Sequence, residues 1–156
     1  MPNYHTFSWS QFEEDTKQLA EKLGALNKEW TTIVAIARGG LVPAAIIAHL
    51  FSIRHIETIC TISYNDDTLE QESLKILTEF SSESDNILVI DDLVDSGKTF
   101  KLVREMLPNA HFACVYAKPT GIPTTDTYFK LFSHDTWLVF PWEEQVEEND
   151  DVSVVA

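Results

Sequence analysis

The sequence predicts a single α/β domain in which a mainly parallel, twisted sheet is flanked by helices. Short apolar runs of β type alternate along the chain with segments of helical period, which is typical of this fold class. The runs at 32–36 and 87–90 are apolar almost throughout, which indicates strands covered on both faces. A length of 156 residues allows one hydrophobic core and leaves little room for a second.

The first half of the chain predicts helix, strand, helix and strand in that order. Ser10 to Glu13 have the capping-box form, and the helix that follows should end near Gly24. Its inward face is predicted to hold Phe12, Leu19, Ala20 and Leu23. A strand at 32–36 runs into a glycine turn and then a helix at 41–51, and a second strand is expected at 55–63. Residues 64–76 are polar without a clear period and predict a mobile loop.

The second half continues the alternation. A strand at 87–90 precedes a helix that starts at Gly97 and buries Phe100, Val103, Met106 and Leu107. Further strands are expected at 110–116, 128–132 and 136–140, with a proline- and glycine-containing turn at 119–123. We therefore expect one domain over residues 1–142, followed by an acidic, flexible tail at 143–156.

Charge and hydropathy exclude several classes of partner. The formal net charge is −14, from 25 acidic and 11 basic residues, so the surface should repel nucleic acid and anionic lipid. No apolar run approaches the ~20 residues that span a bilayer, and the N-terminus lacks the pattern of a signal peptide. We expect a cytoplasmic protein that binds neither nucleic acid nor the membrane core.

The cysteines and histidines do not predict a metal site. Cys60 and Cys114 lie in apolar surroundings and are expected to be buried thiols. The five histidines show no metal-ligand spacing, so each is interpreted as a surface or strand-end residue.

The segment ILVIDDLVDSGKT at 87–99 carries the chemistry. Gly97-Lys98-Thr99 matches the end of the phosphate loop of nucleotide triphosphatases, but the first glycine of that motif would stand at position 92, where the chain has Asp92. A different arrangement fits better. Residues 95–99 precede a helix whose free amides can bind one phosphate, while Asp91 and Asp92 can accept from sugar hydroxyls or hold Mg²⁺. A ligand with one phosphate, a ribose and a metal satisfies both halves.

This segment resembles the phosphoribosyl pyrophosphate signature of the type I phosphoribosyltransferases. The resemblance extends over IVAIARGGLVPAAIIAHL at 33–50, VYAKPTGIP at 115–123 and DTWLVFPW at 135–142. Together these stretches resemble the bacterial xanthine-guanine phosphoribosyltransferases, the purine branch of that family. The resemblance implies the type I fold with a small base-binding hood. It also implies purine salvage: Mg²⁺-dependent transfer of the 5-phosphoribosyl group from phosphoribosyl pyrophosphate to N9 of guanine, xanthine or hypoxanthine.

The resemblance assigns roles to residues of the central segment. Asp91 and Asp92 are expected to bind the ribose hydroxyls and Mg²⁺, and Asp95 to act as general acid/base near N7 of the purine. Ser96, Gly97, Lys98 and Thr99 are expected to bind the 5′-phosphate.

Other roles fall on the flanking segments. Arg38 and Gly39 match the pyrophosphate-binding turn. Lys118 matches the donor to the 6-oxo group, Trp137 matches the aromatic ring that stacks on the base, and backbone groups of Leu138 follow it.

Two segments depart from the family pattern. The relatives carry an arginine for pyrophosphate in the loop at 64–76, where this chain offers Lys75 as the candidate substitute. The acidic tail replaces a more apolar ending, so the peripheral membrane association that the resemblance allows is disfavoured. The family further implies a homodimer or homotetramer with Arg38 near a subunit boundary.

Two alternative functions remain open at this point. One is a regulatory protein of the same fold that senses phosphoribosyl pyrophosphate, although the net charge argues against action on nucleic acid. The other is a phosphoribosyltransferase for another base. The sequence does not rank guanine, xanthine and hypoxanthine.

Overall fold

A computed structural model describes residues 3–65, 72–76 and 86–143. The elements are β1 (Asn3–Thr6), α1 (Trp9–Gly24), β2 (Thr32–Ala37), α2 (Leu41–Leu50), β3 (His55–Asn65), β4 (Glu72–Ile76), β5 (Ile87–Val94), α3 (Lys98–Met106), β6 (His111–Ala117), a 3₁₀ helix at Pro119–Thr124, β7 (Thr127–Leu131) and β8 (Thr136–Val139). The predicted α/β class is confirmed.

The main sheet contains six of the described strands, in the order β4-β3-β2-β5-β6-β7. Neighbouring strands are parallel except for β3 and β4, which are antiparallel. Apolar clusters cover both faces of the sheet, as its continuous apolar strands require. All the parallel strands therefore present their carboxyl ends at one edge, where ligands of such sheets bind.

A second, two-stranded sheet pairs β1 with β8 in parallel. β1 was not predicted, because a four-residue strand has too few positions to show a period. Its partner lies more than 120 positions along the chain, and the register places Tyr4 opposite Trp137. We assign this pair of strands to the predicted small hood.

The N-cap of helix α1 lies two residues before the predicted one. Ser8, not Ser10, is the N-cap, and its side chain accepts a hydrogen bond from the Gln11 amide at 3.1 Å. Ser8-Trp9-Ser10-Gln11 also has the capping-box form, and here apolar residues stand at the two flanking staple positions. These residues, Phe7 and Phe12, are both buried, which favours the earlier start.

The strands extend further than predicted. β3 continues to Asn65 and β4 occupies 72–76, so strands enter the segment expected to be a loop, and the rest of it lies outside the described residues. β5 continues through both aspartates to Val94. Cys114 is buried as predicted, whereas Cys60 is exposed, which corrects its predicted burial.

Over the described parts of the chain, no helix has both the length and the apolar character needed to cross a membrane. The acidic tail predicted beyond Glu143 lies outside the described residues, so its flexibility stays a prediction.

Candidate functional site

Three neighbouring strands bring the predicted site residues to one edge of the sheet. Arg38 follows β2, Asp95 follows β5 and Lys118 follows β6. The Lys118 amide donates to the Val94 carbonyl at 2.9 Å, which extends the β5–β6 pairing to the start of the site. Residues that are far apart in sequence thus lie together because parallel strands end together.

The Arg38-Gly39 turn lies directly against the carboxylate of Asp92. A Cβ atom added at Gly39 would overlap both oxygens of that carboxylate, so any other residue here would displace the Asp92 side chain. The peptide bond between Ala37 and Arg38 is cis, and Arg38 is exposed. The turn predicted for pyrophosphate and the acidic pair predicted for ribose and metal therefore form one continuous surface.

Local hydrogen bonds orient the two aspartates. The Asp92 amide donates to Asp91 Oδ1 at 2.8 Å, and the Leu93 amide donates to Asp92 Oδ1 at 2.7 Å. Burial raises the pKa of Asp91 well above its usual range, and the adjacent Asp92 charge adds to that effect. Burial likewise raises the pKa of Asp92. Both shifts mean that negative charge is disfavoured here without a positive partner.

The donor chemistry of this pair fits a magnesium ion. Mg²⁺ prefers oxygen ligands and is usually held by one or two carboxylates together with substrate oxygens and water. Among the residues described, no group of three or more His, Cys, Asp or Glu side chains could hold a metal by itself. Asp91 and Asp92 thus suit a metal that arrives with an oxygen-rich substrate, and the raised pKa values show where added positive charge would be stabilising.

The turn after β5 forms a small polar pocket. Gly97 has φ +86°, and a Cβ there would meet Thr124 Cγ2 at 2.7 Å, so the turn requires glycine. The Lys98 amide lies 3.4 Å from Ser96 Oγ, the Lys98 side chain is exposed and Thr99 is half-buried. The pocket bounded by residues 91–100 has a volume of about 140 Å³. That is below the ~300–1,000 Å³ of whole-ligand sites and suits one phosphate group at the start of α3.

Larger surface pockets lie at the other end of the sheet. One of about 390 Å³ lies beside His49 and Ile56, and one of about 430 Å³ beside Trp30 and His111. Both adjoin the amino ends of parallel strands, where ligands of this fold class do not bind. We therefore place the candidate site at the smaller pocket.

Lys118 and Asp95 form the charged pair of the site. Lys118 is 6 % exposed, and its Nζ lies 3.6 Å from Asp95 Oδ2. A buried ammonium requires a partner, and this carboxylate is within ion-pair distance. The Asp95 side chain itself is 59 % exposed and open to a ligand. The observed burial contradicts an interpretation of Lys118 as an ordinary surface lysine.

His134, which was not predicted as a site residue, also lies beside Asp95. Its Nδ1 lies 3.8 Å from Asp95 Oδ1, and its Nε2 lies 2.8 Å from Thr120 Oγ1 and 3.4 Å from the Thr120 amide. Its position immediately before the Asp-Thr-Trp stretch was the one sequence signal that could have found it.

The hood carries the residues predicted to contact a base. Trp137 on β8 is 63 % exposed, so it is not a core tryptophan, and its ring is accessible to a flat ligand. Leu138 is buried in the core below it. This exposed tryptophan and buried leucine match the alternation of a strand whose one face packs on the domain.

Lys75 lies on β4 opposite Ile62. The parallel register pairs Ala37, the last residue of β2, with Cys60, so this part of the β3–β4 hairpin extends past the end of β2 where Arg38 lies. Its assignment as the pyrophosphate ligand stays a prediction.

Comparison with known proteins supplies a family. The sequence profile described as the phosphoribosyl transferase domain matches residues 8–149.

Solved structures with the same fold include three that cover nearly the whole chain. A purine phosphoribosyltransferase from Pyrococcus horikoshii is 29 % identical, with a TM-score of 0.74 over 91 % of this chain and 95 % of that one. The xanthine-guanine-hypoxanthine phosphoribosyltransferase of Helicobacter pylori is 24 % identical, with a TM-score of 0.75 over 90 % and 94 %. A Neisseria gonorrhoeae protein with bound ppGpp is 23 % identical, with a TM-score of 0.79 over 92 % and 91 %. The last two support the fold alone.

Proposed function

The chain belongs to the phosphoribosyl transferase domain family, and from that premise we propose that it is a purine salvage enzyme. It transfers the 5-phosphoribosyl group from phosphoribosyl pyrophosphate to N9 of a 6-oxopurine (guanine, xanthine or hypoxanthine), and releases pyrophosphate and the nucleoside monophosphate. The 29 % identity to the Pyrococcus horikoshii purine phosphoribosyltransferase supports the choice of a purine.

The contact between Lys118 and Asp95 is the observation that carries the proposal. A buried ammonium can donate to the 6-oxo group of guanine, xanthine or hypoxanthine, whereas the 6-amino group of adenine offers no acceptor at that position. Asp95, 3.6 Å away, is a carboxylate able to exchange a proton with N7 on the neighbouring ring edge. The proposal therefore assigns recognition of the base and proton transfer to two neighbouring side chains.

Binding of the sugar donor is divided among three segments. The turn at 95–99 binds the 5′-phosphate through backbone amides at the start of α3. Asp91 and Asp92 accept from the ribose hydroxyls, and Arg38 with the Gly39 backbone binds pyrophosphate. Magnesium, held by Asp91 and Asp92, would neutralise the departing pyrophosphate.

The remaining catalytic task is to align the base and move a proton. Trp137 stacks on the purine and Lys118 fixes its 6-oxo edge, so that N9 faces the anomeric carbon. Asp95 takes or supplies the proton at N7 as the glycosidic bond forms or breaks. No covalent intermediate with the protein is needed.

The decisive experiment is a spectrophotometric assay with phosphoribosyl pyrophosphate and Mg²⁺, offering guanine, xanthine, hypoxanthine and adenine separately. We expect turnover of 6-oxopurines and none of adenine, with loss of activity in chelator. Asp95→Asn should lower kcat by about 10²–10⁴-fold, the usual contribution of a general acid or base. The variant should stay folded at the assay temperature, although its melting temperature should fall because the buried Lys118 ammonium loses its charged partner.

Glu105→Gln is the matched control, since it removes one exposed carboxylate on α3 outside the site. Wild-type turnover in Asp95→Asn, or equal losses in both variants, would show that the acid/base assignment is wrong. Activity on orotate or uracil without activity on 6-oxopurines would refute the purine proposal.

We also propose a cytoplasmic homodimer or homotetramer. Leu41 and Leu50 of α2 are 42 % and 50 % exposed, which suits a covered subunit surface. Light scattering during gel filtration tests the oligomeric state, and a monomer at micromolar concentration would contradict it.

A further inference from the structure

We propose that His134 is a positioning residue that holds the Asp95 carboxylate in its reactive orientation. The inference rests on the proposed acid/base role of Asp95 and deepens it. His134 lies in the turn between β7 and β8, whereas Asp95 lies in the turn after β5, so their contact links the hood to the reaction centre.

The hydrogen bonds of the imidazole define its tautomer. The Thr120 amide is a donor only, and it lies 3.4 Å from His134 Nε2, so Nε2 acts as an acceptor. The Thr120 hydroxyl, 2.8 Å from the same nitrogen, can donate to it as well. In the neutral ring the proton is therefore on Nδ1, the nitrogen that faces Asp95 Oδ1.

The turn that carries His134 is itself fixed. The Thr136 amide donates to the Ser133 carbonyl at 3.2 Å, and the Ser133 hydroxyl contacts Thr136 Oγ1 at 2.9 Å and donates to Asp135. A turn tied in this way holds the imidazole against Thr120 on one side and Asp95 on the other.

Two donors thus face the two oxygens of one carboxylate. Lys118 Nζ lies 3.6 Å from Oδ2 and His134 Nδ1 lies 3.8 Å from Oδ1. Both distances exceed a direct hydrogen bond, as is common for catalytic contacts that shorten when substrate binds. Lys118 is also assigned to the 6-oxo group of the base, so its contact with Asp95 weakens when the purine binds. His134 then remains to keep the carboxylate from rotating away from N7.

Two substitutions separate this role from simple support of the turn. In His134→Asn, the side-chain amide nitrogen takes the position of the imidazole Nδ1 and can donate toward Asp95. No atom of the asparagine replaces Nε2. His134→Gln places a carbonyl acceptor near the Nε2 position and lacks a donor toward Asp95. The first variant keeps the proposed contact with Asp95, and the second keeps the contact with Thr120.

We expect His134→Gln to lower kcat by about 10–100-fold, the range for a catalytic group misplaced by up to about 1 Å. His134→Asn should lose far less, at most about threefold, since a surface change that keeps the donor is mild. KM for phosphoribosyl pyrophosphate should stay unchanged in both, because His134 faces the side chain of Asp95 and not the backbone amides proposed to bind the 5′-phosphate. His55→Gln, an exposed histidine at the opposite end of the sheet, is the control and should keep wild-type kinetics.

The outcomes distinguish the two hypotheses. A larger loss in His134→Asn than in His134→Gln, or equal kinetics in both, overturns the positioning role while purine transfer by the wild type leaves the proposed function standing. Absence of transfer in the wild type, or full activity of Asp95→Asn, overturns both.

Nitrogen-15 NMR of the imidazole gives a readout that does not depend on turnover. At a pH of about 8, where an ordinary histidine is neutral, the proton should be on Nδ1 and its resonance should move in Asp95→Asn. A proton on Nε2, or an Nδ1 chemical shift that is the same in the wild type and in Asp95→Asn, overturns the inference.

Discussion

Replacing Gly39 by alanine tests the contact that joins the Arg38 turn to the acidic pair. The added methyl group would overlap the Asp92 carboxylate, which must then rotate away. Rotation breaks the 2.7 Å hydrogen bond from the Leu93 amide to Asp92 Oδ1. A bond to a charged group contributes about 1.5–3 kcal/mol, so we expect a loss of that size in the free energy of unfolding. For a chain of this length, that corresponds to a fall of about 3–12 °C in melting temperature.

The same rotation should weaken donor binding, because Asp92 no longer faces the ribose. Loss of one contact of similar strength raises KM for phosphoribosyl pyrophosphate by about 10–100-fold, at about 1.4 kcal/mol per tenfold. Thermal unfolding and initial-rate kinetics measure the two effects.

Gly24→Ala is the matched control, since a Cβ at Gly24 meets no atom within 4 Å. In the last turn of α1, alanine should raise stability by about 0.5–1 kcal/mol. If Gly39→Ala has the same melting temperature as Gly24→Ala and keeps the wild-type KM, the Asp92 carboxylate does not contact residue 39. That result would refute the prediction.

Two further predictions concern stability. In the folded state, burial lowers the pKa of His111 below its usual 6.5. The unfolded chain therefore binds a proton more readily, and the free energy of unfolding should fall as the pH drops below about 6.5. His111→Gln should reduce the fall in melting temperature between about pH 7 and pH 5, and an unchanged fall would contradict the assignment. The Tyr116 hydroxyl donates to buried Asp15 at 2.5 Å, and Tyr116→Phe leaves that oxygen unsatisfied. Urea unfolding should show that the free energy of unfolding falls by about 1–3 kcal/mol. A fall below about 0.5 kcal/mol would argue against a stabilising hydrogen bond between Tyr116 and Asp15.

The features that a local sequence pattern controls were predicted best. The parallel strands of the main sheet and the inward face of α1 follow from apolar runs and helical spacing, since burial selects those residues, whereas β4 lies in a segment predicted to be a loop. Asp91, Asp95 and Lys118 were identified as site candidates because they lie beside strand ends or in recognisable stretches, and the structure brings them to one edge.

Features that depend on tertiary contacts were missed. β1 forms because a distant strand pairs with it, and His134 gains its position from a contact with Thr120 and Asp95. β1 has no local signal, and the one signal for His134 is its position before the Asp-Thr-Trp stretch. The choice between Ser8 and Ser10 as helix cap was a competition between two similar motifs, which the burial of Phe7 decided.

The pairing of β1 with β8 has a consequence for how the protein is made. β1 is synthesised before every other described element, yet its partner is complete only at Val139. At ~5–20 residues per second, β1 waits about 7–27 s for that partner. The described strands of the main sheet are all complete before then, so the hood that carries Trp137 is the last of the described elements to assemble. A nascent chain that stalls before this point contains the phosphate turn and the acidic pair but has no platform for a base.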